Sequence, residues 1–334
     1  MRMKKQIILI TGGAGFIGSE LVRQAVAEGA CVRIVDNLIN GKRRNVDDVL
    51  SSNVCLEVVD IRDRERMRGL LNGVDLVFHL ACLGVRHSIH SPRENHDVNA
   101  TATLDLLALA REAGVRRFIY VSSSEIYGTA RWVPMTEDYP PSPHTVYGAS
   151  KLAGDCYTRA YWDTYRFPTV VVRPFNSYGP RCHHEGDSGE VIPKFLLRGL
   201  AGKPMVIFGD GTQTRDFTYV SDTARGILLA GLSDAAIGKT INLGSGAEIQ
   251  VNDLARLVAE VIERPGATVQ HIEPRPGDVL RLYADPSRAR EWLGFAPRVS
   301  LREGLRQLKV WYEQQAVSAE VLLAEERIRN WQPK

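Results

Sequence analysis

Tyr147 and Lys151 stand four residues apart in Val-Tyr-Gly-Ala-Ser-Lys-Leu-Ala, residues 146–153, and on a helix they share one face. A phenol with an ordinary pKa of about 10 accepts protons poorly at neutral pH, and an ammonium beside it stabilises the phenolate. The pair therefore reads as a base. It suits the deprotonation of a hydroxyl whose carbon gives hydride to a nicotinamide, with a second hydroxyl donor holding the oxygen. Tyrosine and lysine also fall at this spacing by chance on solvated helices, so the reading depends on the elements that would position them.

Upstream, residues 7–10 (Ile-Ile-Leu-Ile) read as a buried strand of a parallel sheet. Thr11-Gly-Gly-Ala-Gly-Phe-Ile-Gly18 then leads into a helix with apolar period through Leu21, Val22, Ala25 and Val26. Strand, glycine turn and helix in this order predict a dinucleotide site. Gly12 allows the tight turn, Gly15 lets the backbone approach a pyrophosphate, and Gly18 lets helix and strand pack closely. The next strand, residues 31–35, ends in Asp36, at the spacing where a carboxylate takes the adenosine ribose hydroxyls. A carboxylate there repels a 2′-phosphate and favours NAD over NADP. Asp60, at the end of the strand over residues 54–59, is expected near the adenine.

The chain has 334 residues, enough for one large or two fused domains, and its 44% apolar and 24% charged residues suit a soluble globular enzyme. A net charge of +3, with both signs interleaved, argues against nucleic acid as a partner. There is no apolar run long enough to span a membrane and no secretory signal pattern. The five scattered cysteines fit a reducing cytoplasm. His183-His-Glu185 with Asp187 lacks the spacing that directs ligands to one ion, so no metal is expected.

Strands and helices alternate through residues 54–59, 74–80, 98–113, 117–121, the helix bearing Tyr147, and 169–172. This predicts an α/β fold with a Rossmann-type doubly wound parallel sheet. From about Pro174 the chain becomes rich in loops. Strands are expected at 205–208 and 240–243, and helices at 251–262 and 301–315. The expected division is a dinucleotide-binding domain over residues 1–174, with some later segments returning to it, and a smaller C-terminal α/β substrate-binding lid over residues 175–334. A ligand would lie in the cleft between them.

Seven motifs in order carry a resemblance that covers nearly the whole chain. They are the glycine loop at 11–18, Asp36-Asn-Leu38, His79-Leu-Ala81, Val121-Ser-Ser-Ser-Glu-Ile-Tyr-Gly128, Tyr147-x-x-x-Lys151, Arg173-Pro-Phe-Asn-Ser-Tyr-Gly-Pro180 and Asn242-Leu-Gly-Ser-Gly246. The chain resembles the extended short-chain dehydrogenases that act on nucleotide sugars. The resemblance implies that NAD is held by Gly12, Gly15, Phe16, Ile17, Gly18, Asp36, Asn37, Asp60, Ile61, Leu80, Ala81, Asn99, Tyr147, Lys151 and Pro174. It implies that Ser123 holds the sugar hydroxyl, Tyr147 is the acid/base and Lys151 binds the nicotinamide ribose. It further implies a nucleoside diphosphate clamp of Arg215, Arg275 and Asp278, with Asn176, Val191 and Lys194 as further contacts and Arg86 in a loop that roofs the sugar. Charge-assisted contacts of this kind suit a diphosphate. A homodimer through the helices at 98–113 and 147–165 follows from the same resemblance.

Members of this family first make a 4-keto sugar and then diverge. Asp36-Asn-Leu-Ile-Asn-Gly41 and Arg275-Pro-Gly-Asp-x-x-x-x-Tyr-Ala-Asp285 resemble the 4-epimerases, which need no second base. Glu125 stands where the 4,6-dehydratases carry the glutamate that removes the C5 proton, but Ser124 stands where many of them carry an aspartic acid. In UDP-glucuronate decarboxylases an arginine follows the Gly-Asp by about six residues, where this chain has Tyr283, with Arg281 offset. A 4-epimerase is the leading reading. A 4,6-dehydratase is the alternative, followed by a decarboxylase and by a non-catalytic NAD-binding sensor. The base and the sugar stay open.

Overall fold

Runs of branched aliphatic residues form six strands in the first half of the chain. They are β1 Ile7–Thr11, β2 Cys31–Asp36, β3 Val54–Val58, β4 Leu76–His79, β5 Arg117–Val121 and β6 Thr169–Pro174. β1, β4 and β6 are almost wholly buried, as strands covered by helices on both faces must be. The structure is a computed structural model that describes residue 3 and residues 6–332.

The helices between these strands are α1 Phe16–Ala27, α2 Arg64–Leu70, α3 Val85–His90, α4 Pro92–His96, α5 Ala102–Glu112 and α6 Val146–Tyr165, with a π turn at Asp97–Thr101 ahead of α5. Beyond β6 come β7 Asn176–Tyr178, α7 Val191–Leu200, β8 Met205–Phe208, β9 Thr214–Arg215, β10 Phe217–Tyr219, α8 Val220–Leu232, β11 Thr240–Leu243, β12 Ile249–Gln250, α9 Val251–Val261 and β13 Val269–Ile272.

The central sheet is seven-stranded and parallel, in the order β11-β6-β5-β4-β1-β2-β3. The strand order reverses between β1 and β4, so their carboxyl ends open the crevice in which such sheets bind ligands. The strand at residues 240–243 belongs to the central sheet and is one of the later segments that return to it. Thr240–Leu243 pairs in parallel with β6, from Thr240 opposite Val171 to Leu243 opposite Pro174. Helix α8 also returns to this layer, where Ala224, Ile227 and Ala230 share a core with Ile8, Ile10, Leu21 and Val22.

A second core joins Phe195, Leu196 and Leu197 of α7, Leu254 and Val258 of α9, and Leu305 and Leu308 of the helix Leu301–Glu313. Three two-stranded pairings, β7 with β10, β8 with β13 and β9 with β12, frame this part. Phe16 packs into the second core from the glycine loop, so the two bodies touch along the crevice.

Candidate functional site

A single large cleft, with a cavity of about 460 Å³, runs from the glycine loop to the segments after β8. Gly12 closes the turn after β1 with φ of 70°, and a Cβ there would stand 2.7 Å from the Ala81 nitrogen. A Cβ on Gly18 would run into the Gly12 carbonyl, so α1 can start this close to β1 only with a bare glycine. A Cβ on Gly15 would meet only its own loop, at 3.1 Å from the Gly12 oxygen. These glycines, with Phe16 and Ile17, line the cleft.

Asp36 is buried at the end of β2 and accepts the Ala14 and Leu38 amides at 3.0 and 2.9 Å. Burial raises its pKa against those bonds. Gly41, the last residue of the Asp36–Gly41 motif, leaves the room for this carboxylate, since its Cβ would stand 2.5 Å from Asp36 Oδ1. Asn37 donates to Asp60 at 3.0 Å. Arg62 grips Asp60 through Nε and Nη2 at 2.9 and 2.8 Å, and this pairing holds the Asp60 pKa down to about 2. Ile61, Leu80 and Ala81 complete this end of the cleft. The Leu80 and Ala81 amides both donate to the Thr11 hydroxyl at 3.2 Å. The residues present thus fit a dinucleotide, with bare backbone where phosphates would lie and a fixed carboxylate where a ribose would.

Asn99 has a different place from the one expected. It does not line the cleft. It lies in the π turn, buried, with its carbonyl accepting the Leu83 amide at 2.8 Å and its amide donating to the Leu83 carbonyl at 2.9 Å and to Ser150 at 3.1 Å. Asn99 therefore positions the loop after β4 against helix α6.

Beyond the carboxyl end of β5, Ser123 caps the turn Ser124–Tyr127, its hydroxyl accepting the Glu125 amide at 3.2 Å. Thr145 caps α6, which brings Tyr147 into the cleft on the first helical turn. Gly148 makes this approach possible, because a Cβ there would stand 2.7 Å from the Glu125 carbonyl. Ser123, Ser124, Glu125, Tyr147, Lys151 and Pro174 all line the same region.

The electrostatics differ from the simple picture of a lysine beside a phenol. The Lys151 ammonium donates to the Val121 carbonyl at 2.5 Å and lies 4.6 Å from the centre of the Tyr120 ring. Burial lowers the Lys151 pKa and strongly raises that of Tyr147; Cys82, Glu125 and Glu190 add to the Tyr147 rise, and Ser123 opposes it. The fold alone therefore keeps Tyr147 protonated.

Beyond the reacting end, Arg215 and Arg275 converge on one oxygen of Asp278, at 2.8 and 2.6 Å. Two guanidiniums on one carboxylate leave an excess positive charge facing the cleft. Arg86 adds to it, with its pKa pushed down to about 10 by burial and its Nε buried without a partner. Lys194 donates to the Arg327 carbonyl at 2.8 Å and is lowered to about 8, again by burial. Val191 and Asn176 line the same stretch, and the Asn176 Oδ1 is buried and unpartnered. Convergent buried cations and orphaned polar atoms are what a bound diphosphate would satisfy.

His183 and His184 flank Glu185, which pairs with Lys42, so this cluster ties the loop after β2 to the second body. Among the described residues no group of His, Cys, Asp and Glu could hold a metal ion. His87 pairs with Glu94 and His90 with Asp187. Lining residues that went unread in the sequence include Glu190, just before α7, and Asn330, which donates to the Asp187 and Gly189 carbonyls at 3.3 and 3.1 Å. Among the described residues no helix is long and apolar enough to cross a membrane.

The family model described as the NAD dependent epimerase/dehydratase family matches residues 8–244. The UDP-glucose 4-epimerase of Mycolicibacterium smegmatis is 37% identical over 89% of this chain and 95% of its own length. The crystal structure of UDP-glucose 4-epimerase from Thermotoga maritima with UDP-glucose is similar at 35% identity and a TM-score of 0.87, covering 92% of this chain and 99% of that one. A dTDP-glucose 4,6-dehydratase from Streptomyces venezuelae, with NAD bound, is similar at 32% identity and a TM-score of 0.88, covering 92% and 97%.

Proposed function

The chain belongs to the NAD-dependent epimerase/dehydratase family of nucleotide-sugar enzymes, and from that premise we propose that it is a 4-epimerase of a nucleoside diphosphate hexose. The observation that carries the reading is the distribution of groups along one cleft. A hydroxyl–phenol pair, Ser123 and Tyr147, lies at its sheet end, and the Arg215–Asp278–Arg275 cluster lies beyond. When bound, NAD supplies a hydride acceptor, a hydride donor in its reduced form, and a positive charge that counters the rise in the Tyr147 pKa.

Ser123 holds the hexose oxygen, and Tyr147 takes its proton and returns it. Lys151, already fixed on the Val121 carbonyl, has further N–H donors for a ribose hydroxyl. Arg215, Arg275, Arg86 and Lys194 hold the diphosphate, leaving the sugar free to present either face at C4. Epimerisation asks for no acid beside Glu125, and this fits Ser124, a hydroxyl in the position where a dehydratase of the commonest pattern has a carboxylic acid. Arg281 is no help to a decarboxylase here, because it pairs with Glu248 outside the cleft.

The test is mass spectrometry and NMR of the products after incubating NAD-loaded enzyme with UDP-, GDP-, dTDP- and CDP-hexoses and hexuronates. Unchanged mass with inversion at C4 is expected. Loss of water would replace the reading with dehydration through Glu125, and loss of carbon dioxide with decarboxylation. Failure to turn over any donor would leave a binding protein. The accompanying readings are a cofactor body over residues 1–174 with later segments returning, a lid over 175–334, a cytoplasmic setting, and a homodimer through α5 and α6. Leu104, Val146 and Tyr165 on those helices are exposed, which supports the dimer, and light scattering on the eluted protein tests it.

A further inference from the structure

Glu190 stands immediately before α7, at the position where a side chain often caps a helix, yet it makes no cap bond. Among the described residues no hydrogen bond or ion pair reaches its carboxyl. It lines the same cleft as Tyr147, Glu125 and Arg86. Its charge is felt by Tyr147, with which it shares the reacting end, and by the Arg86 guanidinium. Among the described residues Arg86 also lacks an ion-pair partner, and its Nε is buried and unbonded. A recessed carboxyl without protein partners incurs a desolvation cost that a ligand donor can offset. A phosphate cannot be that ligand, since it offers only acceptors and like charge, whereas the hydroxyls of a hexose are donors.

We propose that Glu190 is a sugar-reading residue of this cleft, accepting a hydrogen bond from a hexose hydroxyl on the α7 side while Glu125 and Ser123 face the sugar from the sheet side. This rests on the nucleotide-hexose reading above. Glu190 is thus a specificity residue for the sugar, and the arginine clamp reads the diphosphate independently. The raised pKa of the half-buried Glu190 carboxyl, for which desolvation is the main cause and which His183 and Arg86 oppose and Glu185 reinforces, agrees with a group awaiting a donor.

Titration calorimetry on the NAD-loaded full chain separates the two contributions, using UDP-glucose and UDP as probes. Glu190→Ala is expected to weaken UDP-glucose about tenfold or more and to leave UDP within about twofold of wild type. Glu190→Gln, which keeps one acceptor and the side-chain shape, should fall between. If both ligands weaken alike, Glu190 serves the clamp and the proposal is wrong. No change in either ligand also overturns it. Should Glu190→Ala fail to fold, Glu190→Gln decides by the same comparison. If wild type binds neither UDP nor UDP-glucose, the nucleotide-sugar reading fails first and takes this proposal with it.

Discussion

Replacing Arg215 with methionine removes one of the two guanidiniums on Asp278 Oδ1 and leaves the other in place. Asp278 keeps Arg275 at 2.6 Å and its neighbouring Val279 amide at 3.0 Å, so the carboxylate is not stranded. Stability should therefore change by less than about 1 kcal/mol, far from the cost of leaving a buried charge unpaired. Arg215 spends donors on the Thr214 carbonyl and on Asp278, both at 2.8 Å, and its remaining N–H groups are available to a ligand. If about two of them bond phosphate oxygens, at roughly 1.5 kcal/mol for each charge-assisted bond, the loss is about 3 kcal/mol, or on the order of a hundredfold in Kd. Calorimetry with UDP measures it, with NAD affinity and the thermal midpoint as controls that should not move. A loss below about threefold, with fold and NAD binding intact, would show that the two arginines brace the second body and do not clamp a diphosphate.

Tyr147→Phe should lower kcat by about 10²- to 10⁴-fold while NAD retention and the thermal midpoint stay as in wild type, measured by coupled turnover and by cofactor release on denaturation. Gly18→Ala introduces a Cβ against the Gly12 carbonyl and should weaken NAD binding by about 10- to 100-fold, read from the cofactor content of purified protein. His79 lies between the Thr11 and Thr103 hydroxyls at 2.7 and 2.9 Å, and burial lowers its pKa to about 3. The unfolded chain binds a proton that the fold refuses, so stability should fall as pH drops below about 6.5 toward 3, by up to about 1.4 kcal/mol per pH unit. Urea unfolding of wild type and His79→Gln across that window should show the slope difference; parallel curves would mean that His79 titrates normally.

The parts of the site that were legible in the sequence are those set by short-range spacing. The glycine loop, Asp36, the Tyr147 helix and the arginine positions each lie within a motif whose local geometry the structure repeats. What periodicity could not supply was pairing across distance. Residues 240–243 look like any short buried strand, and nothing local says that their partner is β6, because that partner lies on the far side of the whole excursion from β7 to α8. The resemblance puts Asn99 at the cofactor, but the π turn directs its amide to Leu83 and Ser150. The orientation of Lys151 depends on the Val121 carbonyl at the end of another strand. Glu190 and Asn330 carried no signal, because a lone glutamate ahead of a helix and an asparagine near the end of the chain have many solvated equivalents.

The return of the chain to the central sheet has a mechanical consequence. After β6 the backbone leaves for the second body, comes back through α8 and β11, leaves again for α9 and β13, and returns with Ser287–Leu293, whose Ala289 and Leu293 join the first core. The two walls of the cleft are thus sewn together at several seams. A wide swing about one hinge would strain every seam at once, so the motion open to this molecule is a small sliding of packed elements. Exchange of the proposed sugar ligand would then depend on local yielding of the segment 181–190, held by Lys42, His90 and Asn330, and a single proteolytic cut in a connecting loop should leave both fragments associated in one folded particle.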